Sequence, residues 1–290
     1  MPQPVSFYSE GYRIAAHLYL PETLSGKVPA VVMAHGFSGV KELLLPPYAE
    51  RLASAGFAAL TFDYRGFGES EGERGRLIPM EQMADIRNAV TYLQTLPQVN
   101  ADAIGLWGTS FGGANAIRVA AVDGRTKALV AQLTFGSGAR MVVGKMSAAE
   151  REQLEGALKK AREREVTKNR PLKLSPEQLI TDDDSRAFFA QVAQDHPHLA
   201  ETKIPFTLLQ HIIEHNPEEE IGNVACPTLI LAAENDIVTP PAEAQALYEC
   251  ARGVKRVVLL PNCRHYDAYA GEPFEKGIAE TIAWYSSYLA

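Results

Sequence analysis

The stretch GTSFGG, Gly108–Gly113, follows the apolar run AIGLW (103–107) and precedes ANAIRVAAV (114–122), which suits a helix. A strand, then Gly-x-Ser-x-Gly, then a helix is the pattern of a nucleophile elbow, a turn so tight that the serine backbone is strained and only small flanking residues avoid clashes. Gly108, Gly112 and Gly113 supply that room. Such a turn holds Ser110 Oγ above the carboxyl edge of a sheet and aims the first N–H groups and positive dipole of the next helix at the same spot. The string alone also arises as an ordinary Gly/Ser turn, so its surroundings decide the reading.

Those surroundings are strands alternating with helices. VSFYS (5–9) and RIAAHLYLP (13–21) alternate like paired antiparallel strands around Glu10 and Gly11. PAVVMAHG (29–36), AALTFDYRG (58–66), AIGLWG (103–108) and ALVAQLTFG (128–136) are continuous apolar runs, as strands buried on both faces require. LPPYAERLASAG (45–56) and MEQMADIRNAVTYLQTL (80–96) are amphipathic stretches between them, and strand and helix alternating in this way build a parallel sheet with right-handed crossovers. PTLILAAEND (227–236), PAEAQALYECA (241–251), KRVVLLPN (255–262) and EKGIAETIAWYSSYL (275–289) resume the pattern.

Residues 137–223 break it, being rich in charged helix formers. Ser147 with Glu150, and Ser175 with Gln178 behind Pro176, fit capping boxes that start helices. DDDSRAFFAQVAQ (182–194) and PFTLLQHIIEH (205–215) add short amphipathic helices. The expectation is an α/β protein with a mostly parallel, doubly wound sheet, its core formed by residues 1–136 and 224–290, and a helical cap, 137–223, inserted between two late strands.

Composition fits one such unit. The chain has 290 residues, 46% hydrophobic and 22% charged, enough to bury a sizeable core without disulfide or metal staples. A formal charge of -7 argues against nucleic acid or anionic membranes as partners and leaves a small molecule. The first 22 residues lack the basic start and apolar run of a signal peptide, and no segment reaches membrane-spanning length, so a cytoplasmic location is expected. Cys226, Cys250 and Cys263 form no CxxC and read as buried or half-buried thiols.

A serine hydroxyl is a weak nucleophile until a base takes its proton, so the elbow demands a histidine and an acid further along. LILAAENDIVTPP (229–241) ends a strand with Asp236, and LLPNCRHYDAY (259–269) puts His265 in the loop after the next strand, giving the order Ser, Asp, His. Of the nearby acids, Asp267 is too close along the same loop to reach round to the imidazole. Glu234 would need a different loop, and Asp236 precedes two stiffening prolines. Oxyanion donors are expected from the backbone N–H groups of Phe37, in MAHGFSG (33–39), and Phe111. His35 is expected to hold that loop and to take no proton from substrate.

With HGFSGVKE (35–42), FDYRGFGESEG (62–72), GTSFGG, ENDIVTPP (234–241) and RHYDAY (264–269) in order, the chain resembles the α/β-hydrolases of the serine esterase type over nearly its whole length. Within them it is similar to a branch of dienelactone-hydrolase-like and dipeptidyl-peptidase-like hydrolases and polyketide acyl transferases. The resemblance implies hydrolysis of an ester or thioester through an acyl-enzyme, without cofactor or metal. Acyl transfer and carbon–carbon bond hydrolysis use the same triad, and a non-catalytic ligand-binding protein is the remaining alternative. In DYRGFGES (63–70) the resemblance gives Asp63, Arg65 and Gly66 a loop-shaping role.

Other features carry plainer readings. Phe188, Phe189, Phe206 and Leu209 are candidate lining for a substrate pocket under the cap. His211 and His215 are spaced like zinc ligands, with His196 and His198 earlier, yet no carboxylate or cysteine completes a site and packing or solvation accounts for them. AEREQLEGALKKAREREVTK (149–168) reads as an exposed, ion-paired helix and is also a candidate contact in a homo-oligomer. Trp107 and Tyr64 are expected in the core, and Lys41 as a solvated loop lysine.

Overall fold

The computed structural model describes residues 2–24, 26–180, 182–200 and 202–289, apart from the side chains of His198 and Ala200. The chain opens on the hairpin β1 (Gln3–Ser9) and β2 (Tyr12–Tyr19), closed by Glu10 and Gly11 at φ of 48° and 91°. Two left-handed residues give a two-residue turn the twist that matches its strands. Next come β3 (Val28–Ala34), α1 (Pro46–Ser54), β4 (Ala58–Phe62), α2 (Pro79–Thr95), β5 (Val99–Thr109), α3 (Phe111–Val122) and β6 (Thr126–Gln132).

The inserted segment carries α4 (Gly138–Val143), α5 (Ala148–Lys168), β7 (Lys173–Leu174), α6 (Pro176–Leu179), α7 (Asp183–Asp195), α8 (Pro197–Ala200), β8 (Ile204–Pro205) and α9 (Leu208–Ile213). The chain then returns through β9 (Thr228–Ala233), α10 (Pro241–Cys250), β10 (Lys255–Leu260) and α11 (Gly271–Tyr288). The main sheet runs β1-β2-β4-β3-β5-β6-β9-β10; β2 lies antiparallel to its neighbours and every pair from β4 to β10 is parallel. A mostly parallel sheet wound on both faces, with a helical insertion after β6, is the fold the sequence pattern requires.

Side-chain alternation divides the core between those faces. Val32, Leu60 and Leu129 point into one layer with Ile86 of α2, Ile117 of α3 and Leu247 of α10. Val31, Met33, Trp107 and Val130 point into the other, against Leu52 of α1 and Ile278 of α11. Each such aliphatic side chain removed from water contributes about 1.5–3 kcal/mol, which is what clamps the helices to the sheet. Trp107 and Tyr64 are fully buried, as the apolar runs imply.

The inserted segment is built differently. Its longest helix, α5, buries only Leu158 and Ala161. It starts at a capping box in which Glu150 accepts the Ser147 N–H at 2.7 Å and donates its own N–H to Ser147 Oγ at 3.3 Å. At Ser175 the N–H donates to Gln178 Oε1 at 3.0 Å. The two stems of the segment meet at their base, where Gly138 N donates to His215 O at 2.9 Å and Glu218 N to Gly136 O at 3.0 Å. Arg140 bridges there from Glu218 to the buried Glu243 of α10.

Two expectations are corrected. Lys41 is 1% exposed, because its ammonium contacts Asp63 at 2.9 Å and Glu42 and Glu69 at 2.6 Å each. Cys250 is exposed, standing on the outer side of α10, while Cys226 and Cys263 are buried. Among the described residues, no helix is long and apolar enough to cross a membrane.

Candidate active site

Ser110 occupies the junction of β5 and α3 at φ 52° and ψ -123°. A positive φ in a non-glycine residue costs about 1–3 kcal/mol and persists only where its surroundings enforce it. Here Ser110 N donates to Gln132 O at 2.9 Å, and Ser110 O accepts from Thr134 Oγ1 at 2.7 Å and from Gly113 N at 3.0 Å. The glycines are required by contact. A Cβ on Gly108 would stand 2.3 Å from Gly112 O, and one on Gly112 would stand 2.3 Å from both Ala34 O and His35 O. The backbones of the elbow and of the loop after β3 therefore touch, and Ser110 is left half-buried at the carboxyl edge of the sheet.

At the same edge, the loop after β9 carries Asp236 and the loop after β10 carries His265, 4% and 2% exposed. His265 Nδ1 lies 2.7 Å from Asp236 Oδ2. Oδ1 of Asp236 accepts the N–H groups of Val238 and Thr239, both at 2.8 Å, and Oδ2 also accepts from Thr239 Oγ1 at 2.9 Å. A carboxylate held by four donors is fixed in place and stays an acceptor for the imidazole. The other two acids are engaged elsewhere: Glu234 accepts the Asn262 N–H at 2.8 Å, and Asp267 accepts the Arg264 N–H at 3.0 Å. Among the described residues, Ser110 Oγ makes no hydrogen bond to His265; such contacts commonly tighten only when substrate binds.

Facing the elbow is the loop after β3. A Cβ on Gly36 would stand 3.1 Å from Ser110 Cβ, so the Gly36–Phe37 peptide lies directly against the serine. Gly36 O accepts from Gly39 N at 3.2 Å and lies 3.0 Å from His35 Nδ1. Holding that oxygen orients the whole planar peptide, including the Phe37 N–H. Neither the Phe37 nor the Phe111 N–H is taken by an acceptor among the described residues, and Phe111 is the first residue of α3, where N–H groups have no helical partner. His35 itself is buried against the edge of Tyr64; burial lowers its pKa, so it stays neutral and structural. Further along, Lys41 N donates to Asp63 Oδ1 at 2.7 Å, which pins the loop to the end of β4.

The inserted segment reaches this edge through α7. The Phe188 ring stacks on Tyr266 at 4.1 Å and contacts Phe189, whose ring meets Phe37 edge-on at 6.5 Å. Tyr266 in turn packs against His265 at 5.0 Å and donates its hydroxyl to Ser185 at 3.1 Å. Two of the four expected lining residues thus lie beside Phe37 and the histidine loop. Phe206 and Leu209 sit at the start of α9, partly exposed, with no ring contact to that group. An open groove lined by Glu155, Leu158, Arg162 and Ile213 separates α5 from α9 and contains none of the residues above.

His215 is buried between Phe111 and Phe135 with Nδ1 2.9 Å from Arg118, and burial together with that cation lowers its pKa to about 3. It is a neutral packing residue, whereas His211 is exposed and the His198 side chain lies outside the described residues. Among the described residues, no three His, Cys, Asp or Glu side chains gather as a metal site. Thr239, Thr134 and Tyr266 were not singled out in the sequence; the ordered contacts they make join segments far apart in the chain.

Comparison with known proteins fixes the class. A family model described as serine aminopeptidase, S33, matches residues 27–267. The chain belongs to this hydrolase family. An uncharacterised 31.7 kDa protein of Escherichia coli, from the traX-finO intergenic region, is 38% identical over 97% of each chain. The thiohydrolase aneE of Aspergillus aculeatus is 29% identical over 97% of this chain and 91% of its own. The polyketide transferase claH of Penicillium crustosum is 26% identical over 92% and 90%. Among solved structures, DcsB in complex with its substrate analogue superposes with a TM-score of 0.88 at 27% identity, over 100% of this chain and 99% of that one. The α/β hydrolase GrgF of Penicillium sp. sh18 superposes at 0.84 and 22% identity over 100% and 99%, which shows the shared fold.

Proposed function

We propose that the chain hydrolyses a carboxylic ester or thioester of a small molecule through an acyl-enzyme. The observation that carries this reading is the buried Asp236–His265 contact of 2.7 Å, at the sheet edge that also bears the strained Ser110. Ser110 Oγ attacks the carbonyl carbon while His265 Nε2 takes its proton; Asp236 fixes the imidazole tautomer and stabilises the imidazolium. The oxyanion is met by the N–H groups of Phe37 and Phe111, each worth about 3 kcal/mol in the transition state. The imidazolium passes its proton to the departing alcohol or thiol, and water activated by His265 then cleaves the acyl-enzyme. Residues 137–223 act as the cap over the core of 1–136 and 224–290, with Phe188 and Phe189, beside Tyr266 and Phe37, as its lining and Phe206 and Leu209 as further candidates.

A second reading, acyl transfer to an alcohol or amine, draws support from the likeness to a polyketide transferase. It differs only in what resolves the acyl-enzyme. A panel of activated esters, thioesters and lactones, with and without a competing amine, separates the two by product. In that panel Ser110→Ala should abolish turnover while keeping its fold, and Asp236→Asn should cost about ten-thousand-fold through the wrong tautomer. Glu234→Gln and Asp267→Asn should stay active. Full turnover by Ser110→Ala refutes the mechanism, and a crippled Glu234→Gln or Asp267→Asn beside an active Asp236→Asn refutes the choice of acid.

A further inference from the structure

Thr239, 5% exposed, sits where three segments of the site meet. Its Oγ1 is 2.8 Å from Leu133 O, 2.9 Å from Asp236 Oδ2 and 3.3 Å from His265 Nδ1. A hydroxyl has one proton to give. Both oxygens lie within its reach, so that proton is shared between the Leu133 carbonyl and the carboxylate, weighted toward the carboxylate because a charged acceptor makes the stronger bond. Leu133 is itself rigidly placed: its φ is 49°, and its N–H donates to Leu231 O at 2.7 Å.

The neighbouring carbonyl completes the pattern. Gln132 O accepts the Ser110 N–H at 2.9 Å, Leu133 O accepts from Thr239, and Thr134 Oγ1 donates to Ser110 O at 2.7 Å. Three consecutive residues at the end of β6 thus hold the serine with one hand and the acid–base pair with the other. We infer that Thr239 is a positioning residue for the reaction, its hydroxyl registering the Asp236–His265 pair against Ser110 through the Gln132–Thr134 backbone and moderating the basicity of Asp236. This rests on the proposed function above.

Two effects follow from removing the hydroxyl. The pair loses its tie to β6, so the imidazole drifts relative to the serine; the loss falls on kcat, by about ten- to a hundredfold, with KM within about twofold, since misplacement of a reacting group is felt in the transition state. Asp236 also loses one of four donors and becomes a stronger base, which favours the imidazolium and moves the acid limb of the kcat/KM profile upward by about half a pH unit or more. The other ionisable groups around the pair are Cys263, Arg264, Tyr266, Asp267 and Tyr269 following β10, with Asp182 and Asp184 at the start of α7. None is changed by a substitution at 239.

The test uses the full chain with Thr239→Val, Thr239→Ala and Thr239→Ser; one sample of each is treated with a fluorophosphonate to count live Ser110, and a separate untreated sample is assayed on one activated ester from pH 5 to 9. The inference expects Val and Ala to lose kcat and shift the acid limb upward, and Ser to return both to within about threefold and a few tenths of a unit of wild type. Val and Ala variants whose treated samples label and whose untreated samples keep wild-type kcat and profile overturn the role of Thr239 and leave the proposed function standing. Val and Ala variants that fail to fold where Ser folds assign the hydroxyl to stability and overturn the inference. A wild-type chain that neither labels nor turns over ester overturns the reading of Ser110 and this inference with it.

Discussion

Replacing Lys41 by methionine would strip one cation from a site that holds three acids. Methionine keeps the length and apolar character of the stem, so packing is conserved and the charge alone is removed. Of the three partners, Glu42 and Glu69 have exposed side chains and would turn to water at a cost of at most about 1 kcal/mol each. Asp63 is fully buried and cannot. Its carboxylate would keep the N–H groups of Lys41 and Glu69, at 2.7 and 2.9 Å, but lose its counter-charge. Breaking a buried pair from one side costs about 3–5 kcal/mol. For a chain of 290 residues that is a fall in Tm of roughly 5–8 °C. Since Lys41 also anchors the loop that bears Phe37, turnover by the folded variant should drop about tenfold through a loosened donor. Urea and thermal melts of Lys41→Met, Asp63→Asn and the double variant measure this, the double variant recovering part of the single loss. A Lys41→Met chain within about 1 kcal/mol of wild type would refute the argument, because the buried carboxylate would then not depend on its cation.

Two further outcomes can be checked. Gly112→Ala should not yield folded protein, since its Cβ meets two backbone oxygens at 2.3 Å, whereas Gly36→Ala, with a nearest contact of 3.1 Å, should melt near wild type yet lose about ten- to a hundredfold in kcat; expression, Tm and kcat together decide it. His215, neutral in the folded chain with a pKa near 3, takes up its proton more readily when unfolded, so stability should fall as pH drops below about 6.5 and keep falling toward 3. Between pH 7 and 5 its share is about 2 kcal/mol, so the unfolding free energy from urea melts should fall by about that much more in wild type than in His215→Phe over this interval.

What could be read in the sequence was what neighbours in the chain decide. The elbow lies within six residues, the capping box of α5 within four, and the buried strands in uninterrupted apolar runs, so each is visible in one window. Asp236 and His265 were legible because each follows a strand whose end must lie at the same sheet edge as Ser110. Lys41 was not, for its buried partner Asp63 lies 22 residues on and the contact forms only when β3 and β4 pair. Thr239 was hidden in the same way. Its hydroxyl reaches Leu133, 106 residues earlier, and nothing in DIVTPP distinguishes that hydroxyl from an ordinary one before a proline. In the inserted segment, helical amphipathicity named aromatic residues without telling which of them meet the loops at this sheet edge. Phe188 and Phe189 do so through Tyr266 and Phe37, a matter of how α7 lies across two loops.

The closed base of the inserted segment has an evolutionary consequence. Gly136, Gly138, Arg140, His215 and Glu218 join its two stems beside α10, so the chain leaves the sheet and returns to it through a single doorway. Whatever hangs beyond a doorway can be lengthened, trimmed or exchanged while the frame stays shut, because adding residues to a closed loop costs little entropy. If the proposed function holds, the part of the chain that carries the reaction and the part that meets the substrate can therefore change at different rates, and a lineage can acquire new substrates without having to rediscover its chemistry.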